Sequence, residues 1–332
     1  MSEEDRFAPS EQVLSGRTAD IYFLNARRIL EQEGLNLRVT MEIFPSRSGI
    51  LCGMNEVKSI LAPVLPPDSE VWAVSEGESM EGKEVVLRIS GPYRAFGIYE
   101  TAILGILAQE SGWASGARAC VDAAGEIPVI HFGARHVHPD VSARLEYAAM
   151  VGGCTGCATQ AGADLAGISP SGTIPHALIL CIGDTVRATE AFDRYIDPQV
   201  KRIALVDTFR DEAEESLRVA RALGDRLWGV RLDTPAERGR VTPELVQEVR
   251  ARLDQAGFSH VRIVVSGGIN ASRITLFREK NAPVDAFGVG SAISGAPPID
   301  FTADIKEIEG RPIAKRGRIP GVTVNSRLIR II

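Results

Sequence analysis

From residue 127 to residue 289, short apolar runs alternate with amphipathic stretches, and that alternation limits the chain to a few folds. The runs 127–132, 177–181, 203–206, 228–232, 261–265 and 286–289 read as strands. The stretches 141–150, 186–195, 211–223, 242–256 and 271–281 read as helices. Strands that are apolar throughout, separated by helices, imply a parallel sheet covered on both faces. Right-handed crossovers close such a series into a barrel.

The first part of the chain reads differently. A helix is expected over 18–33, with Thr18 or Asp20 as its cap. Strands follow over 37–44, 49–51, 71–74 and 84–90, with a short helix over 56–62. A strongly apolar helix over 99–110 is expected to lead out of this β-rich part, and the tail from 301 to fold back onto it. The fold class expected is α/β: an irregular, TIM-like α/β barrel over 116–295 and a discontinuous N-terminal α/β sandwich. That sandwich takes 18–115 and 296–332, behind a polar lead over 1–17.

A length of 332 residues leaves room for two domains. The net charge of −6 opposes any general affinity for nucleic acid or acidic membranes, and neither is expected as a partner. Anionic substrates must then be held by a few focused Arg and Lys side chains. No apolar stretch reaches the roughly 20 residues that span a bilayer. Residues 1–5 are acidic and lack the apolar core of a signal peptide. Five cysteines, irregularly spaced, do not form a disulfide framework. A reduced cytoplasmic protein is expected.

The chemistry gathers where the strands of the second part stop, the rim on which such barrels keep their sites. Asp207 and Asp233 each follow an apolar run, and as a pair they suit a ribose diol, Mg²⁺ or a developing cation. Helix capping in the next turn is the bland reading of either one. Ser266, Gly267 and Gly268 end one run; Gly288, Gly290 and Ser291 end another. Glycine lets backbone N–H groups approach a phosphate, with the start of the next helix adding positive potential. Arg231 stands two residues before Asp233 and so projects to the same side, and Arg135 lies just past a strand end. Either guanidinium could grip a carboxylate or phosphate. His176, after Gly172, Thr173 and the stiffening Pro175, is placed near the start of a strand and could carry a phosphoryl group. Cys154 and Cys157 have metal-ligand spacing, but no second such pair accompanies them. Zinc with His136 or His138 is therefore the lesser reading, and no metal ligand is assigned to protein side chains.

Together these motifs resemble a family. FGAR at 132–135, GTIPH at 172–176, VDTF at 206–209, RLD at 231–233, SGGI at 266–269 and FGVGS at 287–291 look like nicotinate phosphoribosyltransferase, shorter archaeal-type branch. The likeness runs from DIYF at 20–23 through YET at 99–101 to 315–321. It implies a type II phosphoribosyltransferase fold and a homodimer, or a higher oligomer, with shared active sites. It implies joining nicotinate to phosphoribosyl pyrophosphate (PRPP) in NAD biosynthesis, with Mg²⁺ and with ATP as co-substrate through a phosphorylated His176. By the same resemblance, Asp207 and Asp233 face the ribose and its metal. Tyr22 from the partner stacks on the ring opposite Phe132, while Thr173, Arg135 and Arg231 hold the nicotinate carboxylate or a neighbouring phosphate. Ser266, Gly267, Gly268, Gly288, Gly290 and Ser291 cradle the 5′-phosphate; Arg47, Lys306 and Lys315 grip pyrophosphate. The chain departs from relatives that place an aspartate where Thr155 falls, and no C-terminal zinc knuckle is carried over.

Quinolinate and nicotinamide phosphoribosyltransferases are the competing readings on the same fold. Quinolinate calls for a denser basic lining than Gly133, Ala134 and Arg135 offer, with no lysine beside Arg135. A paralogue that binds nucleotide without turnover is the remaining alternative. The intact His176, Asp207, Asp233 and both glycine turns weigh against it.

Overall fold

The structure is a computed structural model describing residues 6–332; the acidic opening expected to begin the lead, residues 1–5, lies outside the described residues. The chain divides into two compact units, Met1–Ser115 with Ala296–Ile332, and Gly116–Gly295.

In the first unit, a sheet of six strands runs in the order Arg311–Pro312, Phe301–Ile308, Arg38–Pro45, Leu87–Pro92, Glu70–Ala73 and Ile329–Arg330. All its pairings are antiparallel, so the tail from Phe301 enters the sheet beside the first long strand. Val39, Met41 and Ile43 alternate along that strand and enter a core with Leu87, Ile89, Ile60 and Leu107. Within the expected polar lead, Glu11–Leu14 form one helical turn and Phe7 is buried.

The helix Glu100–Ala124 is more than twice as long as its apolar pattern suggested. Within it, Gly112 is a packing notch. A Cβ at Gly112 would stand 2.6 Å from the Pro297 carbonyl oxygen and 2.9 Å from Pro298 Cα, so only glycine lets the returning tail approach.

The second unit is built on a parallel sheet in the order Val129–His131, Ala286–Val289, Arg262–Val265, Gly229–Leu232 and Ile203–Leu205. Ile130 at its edge also bridges to Gly156 in parallel. Ile203–Leu205 and Ala286–Val289 are buried at every position, as strands covered on both faces must be. The intervening helices start at side-chain caps: Asp184, Asp211, Thr242 and Asn270 each accept backbone N–H groups of the first turn. This is the irregular α/β barrel architecture that the alternation implied.

One strand is not there. Residues 177–181 form part of the helix His176–Ile182, and 172–175 form an irregular approach to it. A five-residue apolar run fits strand or helix equally, and Leu180, exposed on the outer face, hides the helical period. Gly183, left-handed at φ 84°, closes the helix, while Ile179 packs with Ile174, Ala188 and Leu205.

Candidate active site

Two adjoining cavities open at the C-terminal ends of the parallel strands, and Phe132, Arg135, Arg231 and Asp233 line both. The larger, about 830 Å³, is also walled by Thr159, Thr173, His176 and Leu205. The smaller, about 180 Å³, is lined by Ser266, Gly267, Gly268, Gly288, Gly290, Ser291 and His136. Both glycine turns thus face one small space with exposed backbone. Gly267 and Gly268 are left-handed at φ 84° and 68°. After Gly290 the chain makes only the single turn Ser291–Ser294, so the peptide groups, rather than a long helix, form this cradle.

Arg231 cross-ties the strand ends. Its Nε donates to Ser266 Oγ at 2.8 Å, Nη1 to Thr173 Oγ1 at 2.9 Å and Nη2 to Asp233 Oδ2 at 3.1 Å. The guanidinium also lies 5.1 Å from the centre of the Phe132 ring. Ser266 Oγ in turn donates to Asp233 Oδ1 at 2.7 Å. One planar cation therefore fixes two hydroxyls, a carboxylate and an aromatic face, a geometry that lysine could not supply. Arg135, exposed on the opposite wall, makes no side-chain hydrogen bond or ion pair among the described residues.

His176 Nε2 stands 3.0 Å from Asp207 Oδ2. The Asp207 side chain is buried, and its Oδ1 has no partner among the described residues. Burial pushes this carboxyl above its ordinary value, and the bond to His176 pulls it back. Neither strand-end aspartate is a helix cap: Asp211 and Thr242 take those positions.

Beneath the larger cavity, Glu146 is fully buried and 3.7 Å from His131 Nδ1. It accepts the Ala158 N–H at 2.7 Å, the Thr159 N–H at 3.1 Å and the Thr159 hydroxyl, and so holds a stretch of the cavity wall. Sequence reasoning missed this carboxylate, and its only signal is an acid inside the apolar run at 145–150. His136 was missed as part of the cradle; its Nδ1 lies 3.1 Å from Ser294 Oγ.

The remaining expected site residues belong to the first unit. Tyr22 is 59% exposed and donates its hydroxyl to Asp20 Oδ2 at 3.3 Å. Arg47 donates to the Pro297 carbonyl at 3.2 Å. Lys306 is buried on the Ile319 carbonyl at 2.6 Å, and Lys315 Nζ lies 3.4 Å from Asp304 Oδ1. Cys154 and Cys157 are buried free thiols, pushed up to about 12 and about 11 by that burial. Among the described residues they join no metal-ligand cluster with His136 or His138.

The family described as quinolinate phosphoribosyl transferase, N-terminal domain, matches residues 20–111, and its C-terminal domain matches residues 113–304. The crystal structure of nicotinate-nucleotide pyrophosphorylase from Pyrococcus furiosus is 43% identical, with a TM-score of 0.88 over 95% of this chain and 81% of that one. The corresponding protein from Francisella tularensis, at 17% identity and a TM-score of 0.65 over 90% of this chain and all of that one, shares the fold. Nicotinate phosphoribosyltransferase pncB2 of Mycobacterium tuberculosis is 30% identical over 73% of this chain but only 52% of its own length. The chain thus spans about half the length of the curated relatives it matches.

These matches overturn the nicotinate phosphoribosyltransferase resemblance, and with it the ATP-assisted, ligase-type reaction through a phosphohistidine at His176. The physical reason lies in what the motifs hold. The glycine turns and strand-end aspartates are what a sugar phosphate would call for under either reading, and they say little about the ring that accepts it. The sparse basic lining at Gly133, Ala134 and Arg135 is a local reading, and in the fold Arg231 lines the same cavity as Arg135. Both halves of this chain belong to the quinolinate phosphoribosyl transferase family.

Proposed function

We propose that the protein transfers the phosphoribosyl group of PRPP to quinolinate, releasing pyrophosphate and carbon dioxide and leaving nicotinate mononucleotide. The observation behind this reading is the pairing of a glycine-lined cradle with a larger cavity that shares Arg135, Arg231, Asp233 and Phe132 with it. One cavity suits the 5′-phosphate and the other a flat, charged ring.

Chemically the arrangement is coherent. The ribose C1′–O bond to pyrophosphate breaks with its electron pair leaving on oxygen, and the sugar becomes cation-like. Asp233 and Asp207 are the carboxylates placed to stabilise that charge. The ring nitrogen forms the new bond to C1′; the carbon–carboxylate bond then gives its pair to the ring, which takes up a proton. Positioning does most of the work. Phe132 offers an aromatic face, and Arg135 is available to pair with ring carboxylates. A divalent cation such as Mg²⁺ fits the oxygen donors of Asp233 and the unpaired Asp207 Oδ1, and when bound it would neutralise pyrophosphate. We retain Tyr22, exposed beside Ile21 on its helix, as a residue that reaches the cavity of a second copy of the chain.

Purified protein should be given PRPP and Mg²⁺ with quinolinate, nicotinate or nicotinamide, without ATP. The expected result is equal release of pyrophosphate and carbon dioxide with quinolinate alone. Turnover confined to another pyridine, or turnover that requires ATP, would overturn the assignment.

A further inference from the structure

The small, glycine-lined cavity carries beside it a guanidinium that forms no ion pair among the described residues. Arg240 follows Gly239 in the loop between Asp233 and the helix Pro243–Gln255. Its backbone is left-handed at φ 65°, a conformation that non-glycine residues rarely adopt. The loop is anchored on both sides of this position. Thr234 Oγ1 and Arg238 Nη1 donate to the buried Glu212 carboxylate at 2.7 Å and 3.0 Å, and the Arg240 N–H donates to Pro235 at 3.1 Å. After it, the Val241 carbonyl accepts from Arg273 Nη2 at 2.5 Å.

The anchored loop lays the Arg240 side chain against Gly268. A Cβ at Gly268 would stand 2.9 Å from Arg240 Cζ, so glycine serves there both its own φ of 68° and the guanidinium beside it. Gly268 is part of the lining of the small cavity. The Arg240 guanidinium makes no hydrogen bond or ion pair among the described residues. Its charged neighbour is another cation, Arg273, whose Nη1 is held by the carbonyls of Gly267 at 2.8 Å and Gly268 at 3.3 Å. Burial and then the charge of Arg240 depress the Arg273 guanidinium. Two like charges at one glycine turn repel until an anion stands between them.

Resting on the phosphoribosyl reading above, we propose that Arg240 is the cation that completes the cradle, binding the 5′-phosphate of the sugar phosphate at the rim beside Gly268. Arg231 cannot do this without giving up its three bonds. Arg240 therefore distinguishes a phosphorylated ribose from a bare one, and acts on the ribose end rather than on the leaving group.

Calorimetric titrations of ribose 5-phosphate, and separately of pyrophosphate, into the full chain and its Arg240→Gln and Arg240→Lys variants test this. Arg240→Gln should weaken ribose 5-phosphate about tenfold or more, the scale of one lost charge-assisted contact, with pyrophosphate changed less than about twofold. Arg240→Lys should recover part of the loss, since it keeps the charge but not the planar fork. Arg240 is exposed, so unchanged melting temperatures should accompany these effects. If the unmodified chain binds ribose 5-phosphate and Arg240→Gln binds it equally well, the role of Arg240 fails while the function stands. A loss confined to pyrophosphate places Arg240 at the leaving group and also overturns the proposal. If the unmodified chain does not bind ribose 5-phosphate, the phosphoribosyl reading itself fails, and this role with it.

Discussion

His176 Nε2 and Asp207 Oδ2 are 3.0 Å apart, an imidazole 41% exposed on the cavity wall seated on a carboxylate that is 1% exposed. Burial raises the proton affinity of Asp207, and the imidazole N–H opposes it. The charge that Asp207 is proposed to present to a cation-like sugar therefore depends on a neighbour. Removing that neighbour with His176→Ala should raise the pKa of Asp207 further. As pH falls, the variant should lose activity earlier, with the acid limb of kcat/KM displaced to higher pH. His176→Asn, which keeps a donor there, should displace it less. An acid limb that does not move would disconnect Asp207 from turnover.

Arg231 invites a conservative substitution that should not behave as one. Lysine keeps the charge but offers a compact ammonium in place of a fork that spans Ser266, Thr173 and Asp233. Losing two charge-assisted bonds in a mostly buried place costs about 3 kcal/mol in total, or roughly a hundredfold in kcat/KM. Steady-state kinetics on Arg231→Lys would measure this directly. A decrease of only about twofold would mean that the cross-tie is incidental to the reaction.

Gly288 separates shape from chemistry. Its backbone angle is ordinary, yet a Cβ there would stand 2.5 Å from Phe132 Cδ2 and 3.1 Å from Ser266 Cβ. Gly288→Ala should push the Phe132 ring off the strand end and into the larger cavity. The expected result is a KM for the pyridine substrate raised about tenfold, equivalent to about 1.4 kcal/mol, with the affinity for ribose 5-phosphate nearly retained. Equal losses for both ligands would indicate that the methyl group disturbs the whole rim.

These cases mark how far the sequence was legible. The strand Ala286–Val289 has the bounds that its apolar run implied, because a run this short between a turn and a glycine has little freedom. The glycine turns were legible in the same way: glycines just past two apolar runs mark where the backbone turns at the rim, and Gly267 and Gly268 are left-handed there. The helix His176–Ile182 was not, since burial of one face and exposure of Leu180 erased the period. Nor was the web around Arg231, whose four partners come from positions 132, 173, 233 and 266. The acceptor ring was least legible of all. The glycine motifs line the small cavity, and residues such as Glu146 that hold the wall of the other have no spacing to announce them.

Glu100, at the start of the long helix in the first unit, gives a test that does not involve catalysis. Burial is the main reason that its carboxyl is pushed up to about 7 from an ordinary 4.5; Asp304 and Asp20 add to the rise and Lys315 opposes it. A carboxyl with a raised pKa in the folded state favours folding in its protonated form. That contribution is complete below about 4.5 and disappears as pH rises through about 7, so wild-type stability should fall across this window. Glutamine mimics the protonated group at every pH. Glu100→Gln should therefore match the wild type at pH 4 and exceed it by about 1–3 kcal/mol at pH 8, within a ceiling of about 3.4 kcal/mol set by about 2.5 pK units at 1.36 kcal/mol each. Urea unfolding at pH 4, 6 and 8 would show the difference growing with pH. A constant offset would instead mean that packing of the amide, rather than loss of the buried charge, accounts for the change.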